Sequence, residues 1–289
     1  MGALPPVVVC ALGLLVMLAC APARTAPSAT PAPTPVSAPI PVPEKPVPVD
    51  PLAEPWLVGS LKAPITHQIE IATAVRAAAS AAALAVARVD SLQTAVAVRW
   101  SADTDVGRRS GEVVVYQPPA GISLPISIGA ALDADRGAVQ VTTPREASCA
   151  AETAIAQLVR EVLIAPPRRL ARGASWVDST RTTICRDSIP LTLASMRRYV
   201  VEDARVQEGR AVVVIRRRST VVMSGSGVQF GEPVTITGEG QGELLFGLRL
   251  DDGQMTDGNG VSSLTLTLTG RRKSQVVMQS ARLEIRRAP

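Results

Sequence analysis

Across the second half of the chain, apolar and polar residues alternate with a period of two. Ser262, Leu264, Leu266 and Leu268 fall on one side of an extended segment, with Thr265, Thr267 and Thr269 on the other. The same pattern predicts strands at 199–206, 211–217, 219–224, 234–237, 242–250, 261–269 and 275–286. Glu208-Gly209, Gly225-Ser226-Gly227, Gly238 to Gly240, Asp251-Asp252-Gly253 and Gly270-Arg271 lie between them and read as turns. Short apolar runs joined by Gly and Asp predict an antiparallel meander rather than βαβ units. Upstream, 66–75, 92–100 and 111–116 also alternate, the last of them ended by Pro118-Pro119. Residues 76–89 carry two signals. Their alanine content favours helix, but Leu84, Val86 and Arg88 keep the period of two, and strand is the expectation there.

One stretch has helical spacing. Thr143-Pro144-Arg145-Glu146 combines an N-cap threonine, a first-turn proline and a glutamate at the third position, a capping box. Ala151, Ile155, Leu158, Val159 and Val162 then form one apolar stripe, and Pro166-Pro167 ends the run. The expected helix covers 144–164. The expected fold is mostly β: antiparallel curved sheets, a sandwich or half-barrel, with one central amphipathic helix. The β-rich part, 55–289, divides into halves at 55–142 and 173–289 joined by that helix.

The beginning of the chain has a different pattern. Val7 to Ala19 is an apolar run of signal-peptide length, too short to span as a mature transmembrane helix. Residues 1–19 are expected to be a signal peptide, although Met1 to Pro6 contain no Lys or Arg. Eleven prolines fall within the 31 residues from Ala21 to Pro51. Proline removes amide donors and disfavours helix in the residue before it, so 20–54 reads as an extended spacer.

Composition narrows the chemistry. The chain has 289 residues, 46% hydrophobic and 2% aromatic, with 30 Lys+Arg against 25 Asp+Glu. Seven aromatic residues provide no stacking ladder, so the basic balance does not point to nucleic acid. Arg216-Arg217-Arg218, Arg271-Arg272-Lys273 and Arg168-Arg169 with Arg172 read as solvated strand faces and turns. His67 is the sole histidine, which removes any His-rich metal site; we assign it no role, and no cofactor or metal is expected. The stretch from Asp251 to Gly260 lacks calcium-loop spacing, with Gly253 and Met255 at ligand positions, and reads as a hairpin. Neither G-x-S-x-G nor another enzyme signature is present, and no enzymatic activity is expected. Trp176 and Asp178 read as core or pocket lining, as do Ile155, Leu158 and Val162 on the helix stripe.

Four cysteines complete the inventory. Cys10 falls in the signal segment, and Met17-Leu18-Ala19-Cys20 resembles the bacterial lipoprotein box, which implies a lipid on Cys20. Cys149 and Cys185 remain, and a disulfide between them is expected. The Gly173-x-x-Trp176-x-Asp178 stretch, Tyr199, the Gly-Gln-Gly-Glu strand at 240–243 and the Asp252-Gly253 turn resemble an uncharacterised group of bacterial envelope lipoproteins. Those proteins have β-rich halves around a central helix, and the resemblance covers roughly 60–289. More loosely, the arrangement is similar to lipid-handling lipoprotein folds, in which a curved sheet closes over a helix. The resemblance implies a lipid-anchored protein of the cell envelope, its domain on the periplasmic or extracellular side, held to the membrane through its N terminus. Two roles are expected: a structural or interaction protein meeting an envelope partner, or a non-enzymatic carrier or chaperone for a lipid or other amphiphile. The aliphatic strands motivate the second, since such walls suit acyl chains.

Overall fold

The computed structural model describes residues 54–288 except 103–106, 118–123, 144–148, 187–188, 230 and 272. The signal segment, Cys20, the spacer and most of the capping box lie outside the described residues. Eleven strands form one antiparallel sheet. The first group is β2 (Ile65–Ala78), β3 (Val89–Trp100), β4 (Arg108–Gln117), β5 (Ile126–Asp133) and β6 (Ala138–Thr142). The helix α1 (Cys149–Val162) follows, and then β8 (Ser175–Arg186), β9 (Ile189–Gln207), β10 (Arg210–Gln229), β11 (Glu232–Arg249), β12 (Met255–Gly270) and β13 (Ser274–Arg287). Two short strands, β1 (Trp56–Leu57) and β7 (Arg169–Leu170), pair separately at one end.

The spatial order is β6-β5-β4-β3-β2-β13-β12-β11-β10-β9-β8. Each group is a meander, and the final strand β13 joins them by pairing with β2, Ile285 opposite Ile69. The sheet curves until its two edge strands, β6 and β8, approach each other beside α1. At that seam the Asp178 carboxylate accepts a hydrogen bond from the Val139 amide. The result is a mostly β fold with one central helix and a curved, near-closed sheet.

Inward positions follow the period of two. On β9, Ile189, Leu191, Leu193, Ser195, Arg197, Tyr199 and Val201 are all buried, and the residues between them are more exposed. Inward apolar residues form two clusters. The larger contains Trp100, Phe246 and the stripe of α1, and the smaller contains Leu191, Met223, Ile236 and Leu266 toward the other end. The helix is buried on every face from Gln157 to Val162, so it fills the curve of the sheet instead of covering it from outside.

Several expectations are corrected. Residues 76–89 are not continuous strand: β2 ends at Ala78, a 3-10 turn spans Ala82–Val86, and β3 begins at Val89. Propensity and alternation both fail there because the segment is a hairpin connection. Gly225-Ser226-Gly227 lies within β10, and Gly238 to Gly240 within β11. These glycines permit close approach: a Cβ on Gly225 would stand 2.2 Å from the Pro190 carbonyl oxygen, and one on Gly238 would stand 2.4 Å from Leu266 Cδ2. The expected Cys149–Cys185 bridge is not found as a pair between described side chains. Cys185 is itself disulfide-bonded, but the Cys149 side chain lies outside the described residues.

Candidate functional site

One end of the sheet holds a pocket of about 700 Å³. Four segments wall it: Val58 to Ser60 before β2, the β5–β6 turn at 132–135, the stretch 164–168 after α1, and the turn 252–254 between β11 and β12. Backbone bonds hold the first segment down, from the Val58 amide to the Arg168 carbonyl at 3.0 Å and from the Gly59 amide to the Leu250 carbonyl at 2.7 Å. Val58, Leu132, Ile164 and Pro166 give the pocket apolar walls; Arg109, Gln254 and Asp252 give it a buried polar floor.

The floor is a connected network. Arg109 Nη1 donates to Gln254 Oε1 at 2.7 Å, and Gln254 Nε2 donates to the Asp252 carbonyl at 3.0 Å. The Asp252 carboxylate accepts from the Gln254 amide at 3.0 Å and from Arg287 Nη1 at 2.7 Å. A floor braced in this way is pre-formed, as ligand sites usually are. The turn carrying it also needs a glycine: Gly253 has φ of +65°, and a Cβ there would meet the Gly59 carbonyl at 2.8 Å.

His67 lies deeper, inward on β2 and fully buried. Its Nε2 donates to the Met255 carbonyl at 2.9 Å, and Nδ1 has no partner among the described residues. Burial lowers its pKa from 6.5 to about 4; the Met255 bond opposes the shift, and Arg287 and Arg109 add to it. The residue given no role in the sequence is thus a neutral core histidine behind the pocket floor.

A second polar region lies midway along the sheet's interior, between the two apolar clusters. Asp178, Arg197, Ser219, Gly242, Ser262, Ala281 and Thr73 stand in register across seven neighbouring strands, with no large apolar side chain among them. Arg217 enters from the next row, and α1 supplies Arg160 and Glu161. Glu161 pairs with Arg217 and lies 3.6 Å from Arg197, which is 3.7 Å from Asp178. Burial raises the Asp178 pKa despite Arg197 and Arg160. Burial lowers that of Arg160, and the neighbouring Arg197 charge adds to the effect. For Arg217 burial also acts downward, but Glu161 and Tyr199 together outweigh it and the net shift is upward.

The residues singled out from sequence separate in space. Of the two readings given to Ile155, Leu158 and Val162, core or pocket lining, they are core, at 0%, 1% and 2% exposure. Trp176 is stacked on Tyr199 with ring centroids 4.7 Å apart, beside Asp178 at the ionic row. The Asp252-Gly253 turn reaches the pocket instead. Arg217 corrects the reading of 216–218 as a solvated run, since it is 4% exposed. The alternation did contain that signal: Arg217 shares its phase with Val213 and Ile215. Arg109 and Gln254 carry no local signal, because only the pairing of distant strands brings them together. Among the described residues no group of His, Cys, Asp and Glu could hold a metal ion. No helix there is long and apolar enough to cross a membrane.

No protein-family model matches the chain, and no curated protein matches it. The functional reading therefore rests on the sheet and its two polar regions. The large curved, near-barrel sheet is compatible with a ligand-binding or carrier-type protein.

Proposed function

We propose that this protein is a non-enzymatic carrier or chaperone that binds an amphiphilic ligand at the end of its near-closed sheet. The observation that carries the reading is the pocket of about 700 Å³, which combines aliphatic walls with a braced polar floor. A drug-sized ligand or a short acyl chain with its head group needs roughly 300–1,000 Å³ and a few fixed polar groups. The pocket is offset from the helix stripe, so the ligand contacts the Ile164–Pro166 segment and not Ile155 or Leu158. Cys20 and the proline-rich segment belong to the same proposal: a lipid on Cys20 tethers the domain to an envelope membrane, and the spacer sets its reach.

Mass spectrometry of the full chain isolated from its own cells tests both parts. Native spectra are expected to show a 1:1 adduct that denaturation releases as an amphiphile, and the mature N terminus is expected to be an acylated Cys20. Protein free of any adduct under native conditions counts against the carrier. An unmodified N terminus beyond Cys20 counts against the tether.

A further inference from the structure

The interior row holds an imbalance of charge. Among the described residues it brings together three guanidinium groups, Arg160, Arg197 and Arg217, and two carboxylates, Glu161 and Asp178. Both carboxylates are taken up by Arg197 and Arg217. Arg160 is 5% exposed and, among the described residues, has no carboxylate within ion-pair distance and leaves Nε and Nη1 without hydrogen-bond partners. Further donors are also unpartnered among the described residues: Arg197 Nη1, Arg217 Nε and, in the row next to Asp178 and Arg197, the hydroxyls of Thr180 and Ser195. Asp178 Oδ1 is the carboxylate oxygen of this cluster left over.

Buried donors without partners are costly, and a buried unpaired charge is more so. Water would satisfy hydroxyls and N–H groups, but it would leave the extra positive charge in place. A single oxyanion satisfies both demands, and guanidinium geometry suits carboxylate and phosphate oxygens. Across the sheet from these groups the row carries only small side chains at its inward positions, Ser219, Gly242, Ser262 and Ala281. We infer that the interior row is an anion-binding site, in which Arg160 and Arg197 hold a carboxylate or phosphate oxyanion between the two apolar clusters. It is a second site, separate from the end pocket and not dependent on it. The anion is either the head group of an amphiphile or a free oxyanion.

Calorimetric titration of the full chain with inorganic phosphate and with octanoate, in chloride buffer of matched ionic strength, tests the assignment. At least one of the two is expected to bind at 1:1. Phosphate alone identifies a free oxyanion, and octanoate binding more tightly identifies an amphiphile head. Arg160→Gln, which keeps the donor character without the charge, is expected to weaken that binding at least tenfold. The variant's melting temperature in chloride alone should be equal to or above that of the wild type, because an unpaired buried charge has gone. Addition of the anion should raise the wild-type melting temperature and leave that of the variant unmoved, a readout that needs only residual folding. Failure of both anions to bind, or equal affinity in wild type and variant, overturns the site. Octanoate that binds both proteins equally reports the end pocket alone.

Discussion

At the scale of single residues, His67 makes the clearest pH-dependent contribution. In the folded chain its pKa is about 4, against 6.5 for the free side chain. Between those values the unfolded chain binds the proton and the folded chain does not. Stability from this residue is complete above about pH 6.5 and is lost as pH falls toward 4, by about 3 kcal/mol in all. His67→Gln can keep a donor to the Met255 carbonyl but cannot titrate. Urea midpoints measured at pH 4.5 and 7 are expected to differ more in the wild type than in the variant. The same pH dependence in both would remove the assignment. Nothing around His67 in the sequence announces this role. Ile65, Ile69 and Ile71 fix its phase as inward, but Met255 and Arg287 reach it only through the closed sheet.

At the scale of elements, the helix is fixed to the sheet by charge as well as by its apolar stripe. Glu161 on α1 faces Arg217 on β10 and Arg197 on β9 in a buried setting. Removing one member leaves an uncompensated charge, so Glu161→Gln is expected to cost about 3–5 kcal/mol in chemical denaturation. The double change Glu161→Gln with Arg217→Met should cost clearly less than the single one, since it removes the orphaned charge; a cost equal to the sum of the two single changes would show no coupling. Local pattern predicts these elements unevenly. Leu264 and Leu266 are buried and Thr265 and Thr269 are exposed, as the alternation of β12 requires. Ile155, Leu158, Val159 and Val162 of α1 are buried as their spacing implies. The strand breaks at Gly225 and Gly238 mislead, because a glycine that admits a neighbouring strand has the same one-letter signature as a glycine that makes a turn. Turn glycines differ in backbone angle: Gly209 has φ of +71° and Gly231 has φ of +78°, and a one-letter sequence does not show this.

At the scale of the whole molecule, the decisive contact is the pairing of β13 with β2, which joins the last strand of the chain to the first long one. It makes two meanders into one sheet, brings β6 to β8 with the helix between them, and places Arg109 beside Gln254. No local pattern encodes a pairing between residues some two hundred positions apart, so the antiparallel meander and the helix were legible and the pocket was not. The interior row was half-legible: its strands could be phased one by one, but their register across the sheet could not.

The carrier reading is tested most directly by filling the end pocket. Ala134 lines it from the β5–β6 turn and is only half-buried, so Ala134→Trp occludes the space while leaving the core in place. The measurement is a fluorescence titration of the full chain, wild type and variant, with the neutral amphiphile N-phenyl-1-naphthylamine. The account predicts saturable binding at one probe per chain in the wild type and at least tenfold weaker binding in the variant, with unchanged circular dichroism. Absence of saturable binding in the wild type, or undiminished binding after the pocket is filled, would contradict it.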